Sequence, residues 1–160
     1  MSGITNIIAA GLGGQGVLKI TDILADVIFH AGRDVKKSEV HGMSQRGGSV
    51  SSEVRFGDKV NSPMIPAGEG DILVVLDASQ LEVARPALKA DGVVITPEDV
   101  PTDKLSSPKA LNVMLLGALS AKLPQFDEAL FLDALKRAFP EKLHAANEAM
   151  FKLGRGGASV

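Results

Sequence analysis

Cysteine is absent from all 160 residues, as are tryptophan and tyrosine, and six phenylalanines are the only aromatic residues besides three histidines. Without cysteine this chain has no disulfide, no thiol nucleophile, no thiolate zinc site and no thiolate-ligated iron–sulfur cluster. A reducing, cytoplasmic location is expected. So few rings leave no stacking platform for single-stranded nucleic acid. Excess positive charge is lacking too. Lys and Arg number 17 against 19 Asp and Glu, a formal net charge of −2. Nothing in that balance draws the chain to nucleic acid or to an anionic membrane. Long apolar runs are also missing. No Lys or Arg precedes Lys19, and Gly11, Gly13, Gly14 and Gly16 interrupt the first apolar stretch, unlike a signal peptide. The apolar run 113–119 is too short to span a bilayer.

What is present is ordinary globular material: 45% hydrophobic and 22% charged residues. A chain this long folds as one domain, here 1–160, and buries roughly 70% of its unfolded surface without staples. Asn6-Ile7-Ile8-Ala9-Ala10 reads as a buried strand running into a glycine turn. Residues 17–31 show helical spacing, with Gly32 placed for a left-handed C-terminal cap. A short strand at 35–40 follows, so a βαβ unit and a parallel sheet are expected. Residues 49–56 alternate, Gly57-Asp58 makes a turn and 59–64 run back, which predicts an antiparallel hairpin. Ile72-Leu73-Val74-Val75-Leu76 reads as a central strand. Ser79 and Glu82 have capping-box spacing for a helix toward Leu88, which Pro86 kinks or restarts. Residues 93–95 form a further strand, 96–109 a proline-containing loop, and 110–122, 127–138 and 141–153 three closing helices, the last ended by Gly154. The predicted fold is a three-layer α/β/α domain, mainly parallel, with an antiparallel hairpin inserted after the second strand.

Two glycine-rich segments stand out. Gly11-Leu12-Gly13-Gly14-Gln15-Gly16 satisfies G-x-G-x-x-G after a strand and before a helix. In that context the glycines allow backbone to approach a pyrophosphate at the helix N-terminus. A tight, ligand-free crossover is the alternative. Glu39 is the only acid near the place where a ribose partner should stand, and a loop, not a helix, follows it. That loop is His41-Gly42-Met43-Ser44-Gln45-Arg46-Gly47-Gly48-Ser49-Val50. Ser44, Gln45 and Arg46 offer three kinds of donor side by side, and Arg46 between glycines suits a phosphate or carboxylate. A hairpin loop whose polar groups serve its own backbone is the other reading. His41 reads as a structural histidine, and Asp77 as a helix cap at the ligand-binding edge of the sheet. No paired carboxylates, metal-spaced cluster or nucleophile–base motif is visible. Residues 61–108 carry eight acidic and three basic side chains, the rest 11 and 14. That segment is either a solvated acidic face or a docking surface for a basic partner.

Together the two glycine segments resemble the gamma subunit or domain of 2-oxoacid:ferredoxin oxidoreductases. The His41–Gly48 run is most similar to the small (beta) subunit of indolepyruvate:ferredoxin oxidoreductase. Ser62-Pro63-Met64-Ile65-Pro66, Asn112-Val113-Met114-Leu115-Leu116-Gly117-Ala118-Leu119 and Ala149-Met150-Phe151-Lys152-Leu153-Gly154 fit the same pattern. The resemblance implies a Rossmann-like subunit without its own turnover or catalytic residue. Its enzyme would convert a 2-oxoacid, such as an aryl pyruvate, to an acyl-CoA and pass electrons to ferredoxin. It implies that thiamine diphosphate and iron–sulfur clusters lie on a larger partner subunit, and that this chain holds no cofactor or metal. It also implies a place on the coenzyme A-binding side of the assembly, with Gly11, Gly13, Gly14, Gln15, Gly16, Ser44, Gln45, Arg46, Gly47 and Gly48 as the candidate contact points for coenzyme A or for the partner subunit. Relatives are usually longer between the 93–95 strand and the Asn112 helix. A stand-alone NAD(P)- or CoA-binding module is the alternative, as is an assembly subunit with empty glycine loops.

Overall fold

A computed structural model describes residues 3–41 and 48–158. Five strands, β1 (Thr5–Leu12), β2 (Asp34–His41), β3 (Ser49–Gly57), β4 (Gly70–Val75) and β5 (Leu88–Ile95), form one sheet in the order β2-β3-β1-β4-β5. Five helices accompany them: α1 (Val17–His30), α2 (Leu81–Ala84), α3 (Leu111–Ala121), α4 (Glu128–Ala138) and α5 (His144–Ala158). β1 pairs parallel with β4, and β4 with β5; β3 is antiparallel to both β1 and β2. Four strands therefore run one way and β3 alone runs back, so the sheet is mixed, with two parallel and two antiparallel pairings.

The predicted hairpin exists with different strands. β3 alternates as expected, with Ser52, Val54 and Phe56 buried. Its partners are β2 and β1, not residues 59–64, which form no strand. With both edges of β3 occupied, no ladder is left for a returning segment, and Pro63 could not donate to one. Residues 59–69 instead cross the sheet as an irregular strap. The Arg55 guanidinium holds it by donating to the Ser62 and Met64 carbonyls at 2.9 and 2.8 Å and to Asn6 Oδ1 at 2.9 Å.

The two faces are covered unequally. On one, Ile7, Ala9, Val54, Phe56, Ile72 and Val74 pack against α1, α3, α4 and α5. Gly32 (φ 82°) closes α1 as predicted: its N–H donates to Phe29, and that of Arg33 to Ile28. On the other face the buried cluster among the described residues is smaller: Ile8, Ala10, Leu73 and Val75, under Ile65 and the short α2 region. Asp77, not Ser79, caps the turn into α2, and Glu82 pairs with Arg85 instead of completing a capping box. Residues 96–109 hold three single turns, Pro97–Asp99, Thr102–Lys104 and Pro108–Ala110.

Gly154 does not end the last helix, which continues through it to Ala158. Its role is packing. A Cβ on Gly154 would run into the Met114 carbonyl, and one on Gly117 into the Phe151 carbonyl. α3 and α5 cross backbone to backbone at these two residues. α3 is buried almost all round, from Asn112 to Ser120, so the crossing sits inside the core, where added volume finds no room. Gly117→Ala and Gly154→Ala should each destabilise the chain by roughly 1–3 kcal/mol or more. Gly156→Ala, with open space around its Cβ position, should cost little. Urea unfolding midpoints of the three variants give the comparison.

Candidate functional site

The C-terminal ends of β1 and β4 meet at the glycine turn. Gly14 and Gly16 take φ values of 88° and 87°, a region other residues avoid. Gly11 needs no special φ; its constraint is space, since a Cβ would meet Gln15 Oε1 at 2.8 Å and Val17 at 2.9 Å. The space under the turn is filled by Gln15. Its Oε1 accepts from the Leu12 N–H at 2.7 Å, and its Nε2 donates to Asp77 Oδ2 at 3.1 Å. Asp77 Oδ1 accepts from the Ser79 hydroxyl at 2.6 Å and the Ser79 N–H at 3.1 Å. The Ser79 hydroxyl and amide, with a smaller contribution from Gln15 and against a modest desolvation, hold the Asp77 carboxyl below the usual carboxylate range. Asp77 is thus a cap, as expected, and also the anchor of Gln15.

Gly16 opens α1 with no side-chain cap, and the first turn of α1 contains no acid. The leading amides and the positive end of the helix dipole are left for a ligand or water. They border a recess of about 260 Å³ lined by Leu12, Gly13, Gly14, Gly16, Val17, Leu18 and Val50. Behind the turn, the Asn112 amide lies where a Gly16 Cβ would be, and its Oδ1 accepts from the Val113 N–H at 2.9 Å. The Gly13 N–H donates to the Gly48 carbonyl at 3.0 Å. That bond joins the first glycine segment to the last glycine of the second. Ser44, Gln45, Arg46 and Gly47 lie outside the described residues, as does the His41 side chain.

The arrangement suits one anionic group at the head of α1 better than a dinucleotide. β3 lies between β1 and β2, so Glu39 stands two strands, roughly 9–10 Å, from β1. A ribose acid belongs on the strand next to the turn. Glu39 accepts instead from Lys37 Nζ at 2.7 Å, which also pairs with Asp22 of α1 at 2.7 Å. Among the described residues no group of three His, Cys, Asp or Glu is placed to hold a metal, and no helix is long and apolar enough to cross a membrane. Sequence reasoning missed the Gln15–Asp77 bridge and the Asn112 buttress. The available signal was an asparagine near the start of α3, before the apolar run 113–119.

Over residues 6–105 the sequence matches the family described as Pyruvate ferredoxin/flavodoxin oxidoreductase. The indolepyruvate oxidoreductase subunit IorB of Archaeoglobus fulgidus is 38% identical over 126 residues, 78% of this chain and 57% of that protein. The chain therefore spans little more than half of that relative. The gamma subunit of a keto/oxoacid ferredoxin oxidoreductase from Geobacter sulfurreducens shares the fold, with a TM-score of 0.82 at 23% identity, over 97% of this chain and 98% of its own. The 2-oxoglutarate:ferredoxin oxidoreductase from Magnetococcus marinus, solved with 2-oxoglutarate, coenzyme A and succinyl-CoA bound, gives a TM-score of 0.81 at 21% identity over 98% of this chain and 31% of its own.

Two outcomes follow for the turn. Gln15→Ala removes two hydrogen bonds, each contributing about 0.5–1.5 kcal/mol, and should lower thermal stability accordingly. The depressed pKa of Asp77 means that its stabilisation is present above the ordinary carboxylate range and is lost as pH falls through the lowered value. Asp77→Asn keeps a capping side chain but no titration, so its stability should fall less steeply with acid than that of the wild type. Melting temperatures measured across the acid range check both.

Proposed function

The chain belongs to the pyruvate ferredoxin/flavodoxin oxidoreductase family, and from that membership we propose that it is the small subunit of a cytoplasmic 2-oxoacid:ferredoxin oxidoreductase. Aryl pyruvates such as indolepyruvate are the substrates in this reading, by likeness to the Archaeoglobus subunit. The enzyme releases the 2-oxoacid carboxylate as carbon dioxide, joins the remaining acyl group to the coenzyme A sulfur with release of the thiol proton, and passes the two electrons set free to ferredoxin. In this reading the iron–sulfur clusters belong to a larger partner subunit, because this chain has no cysteine with which to hold one, and thiamine diphosphate is assigned to that subunit by the family resemblance.

This chain's own part is contact with coenzyme A or with the partner through the turn at Gly11, Gly13, Gly14, Gln15 and Gly16 and the loop at Ser44, Gln45, Arg46, Gly47 and Gly48. The observation that supports it most is the hydrogen bond from Gly13 to Gly48, which sets Gly48 beside the glycine turn that leads into the uncapped start of α1. A phosphate at that point gains from the leading amides and the dipole. The recess of about 260 Å³ has room for one such group. A stand-alone NAD(P) module fits less well, since Glu39 is engaged elsewhere.

Co-expression with a candidate thiamine-dependent subunit tests the assignment. The two chains should elute together, and 2-oxoacid oxidation with coenzyme A should require both. Separate elution, with turnover unchanged when this chain is omitted, would contradict it. Within the assembled enzyme, Arg46→Ala should weaken the anion contact roughly ten- to a hundredfold, in the KM for coenzyme A or the subunit Kd. Arg46→Lys should restore only part of the loss, because it keeps the charge and loses the fork. Both constants staying within about twofold of wild type (under roughly 0.4 kcal/mol) would remove Arg46 from the site.

A further inference from the structure

The leading amides of α1 meet no acceptor among the described residues. Those of Val17, Leu18 and Lys19 are unbonded, and the first bonded one is Ile20, which donates to the Gly16 carbonyl at 3.3 Å. The first turn of α3 lies against the same point, through Asn112. Its cap residue Ala110 offers no side-chain acceptor, and its first turn, like that of α1, holds no acid. The positive ends of two helices therefore meet there with no carboxylate in either first turn.

Asn112 adds a donor to that point. It is 7% exposed, and its Cγ lies 3.0 Å from where a Cβ on Gly16 would stand. α3 itself orients the carboxamide. Oδ1 accepts from the Val113 N–H at 2.9 Å, so Nδ2 is the end turned to Gly16, in the place of the missing side chain. Nδ2 finds no acceptor among the described residues, and unlike Asn147 Nδ2 it is not sealed from solvent. A polar side chain this buried normally has a partner. Neighbouring side chains are engaged elsewhere. Gln15 bridges Leu12 and Asp77. Lys19 Nζ donates to the Ala138 carbonyl at 3.1 Å and lies 4.8 Å from the centre of the Phe139 ring. The unbonded groups at this point are thus all uncharged donors, and their complement is an anion with several acceptor oxygens.

We propose that Asn112 is a ligand-binding residue, its Nδ2 donating to a phosphate group of coenzyme A seated on the first amides of α1. The proposal rests on the coenzyme A reading above and deepens it by adding a side chain from α3 to the glycine turn. It also gives Gly16 a second function, since a Cβ there would displace the donor.

Every group named belongs to this chain, so the isolated full chain is the sample, titrated with coenzyme A by calorimetry and with inorganic phosphate as competitor. Wild type should bind coenzyme A, and phosphate should compete. Asn112→Asp keeps the size and an oxygen for the Val113 N–H but puts a carboxylate where the donor stood. It should melt no lower than wild type, as a built-in anion at two helix N-termini, while its Kd for coenzyme A rises about tenfold or more. Asn112→Leu, of similar shape without donor or charge, should also raise that Kd about tenfold; it decides alone should Asn112→Asp fail to fold. Both variants within about twofold of wild type would overturn the role of Asn112 and leave the coenzyme A contact standing. A loss in Asn112→Asp alone would show repulsion without a bond and overturn the donation. Binding that phosphate does not compete with would place the contact on another part of coenzyme A and overturn the proposal. No binding by the wild type would overturn both this proposal and the coenzyme A contact, with co-elution still deciding the small-subunit assignment.

Discussion

β3 is hydrogen-bonded along both edges, to β1 from Leu12↔Ser49 to Thr5↔Phe56 and to β2 from His41↔Val50 to Asp34↔Gly57. Much of the rest depends on that insertion. It moves β2 to the rim of the sheet and carries Glu39 away from the glycine turn. It brings the end of β2 at His41 and the start of β3 to the same sheet end as the turn, where Gly48 meets Gly13. It forces the chain leaving β3 to cross over β1 to reach β4, and the strap that does so covers only part of the second face. A chain with β2 paired directly to β1 would have none of these features.

The glycine turn combines the backbone of a nucleotide-type motif with a filling of its own. The backbone takes the expected shape, with positive φ at Gly14 and Gly16. The volume beneath it is taken up by the chain's own glutamine. An amide bridging the Leu12 N–H to a carboxylate that is itself held by Ser79 leaves the turn preorganised. Only the amides at the head of α1 still point outward.

Helices and buried strands were legible in the sequence because their signals are local. The periodicity of 17–31, the apolar run at 72–76 and the prolines at 124 and 140 each report on their own segment. Partner choice was not legible. Alternation in 49–56 marks a strand with one apolar face, but says nothing about whether residues 35–40 or 59–64 lie beside it. Gln15, polar and flanked by glycines, reads as a solvated loop residue until β4 brings Asp77 alongside. Gly154 shows the same ambiguity, since a glycine near the end of a helical stretch signals a cap as readily as a crossing. At the site, the glycine turn, its place before a helix and the cap at Asp77 could be read in advance. The packing beneath it could not, because Gln15 and Asn112 act through contacts that are distant in sequence.

The glycine crossing of α3 and α5 has a consequence for the last helix. Two backbones that touch through missing Cβ atoms fit in one axial alignment only. Sliding α5 by a single residue would carry Leu153 or Arg155 into the space of Gly154, against the Met114 carbonyl. The hydrogen bond from Arg155 to Ser120 at 2.8 Å tolerates small displacements of a long side chain, whereas the backbone contact does not. The pair of glycines therefore acts as a mechanical stop, indexing the C-terminal helix to the core one notch at a time.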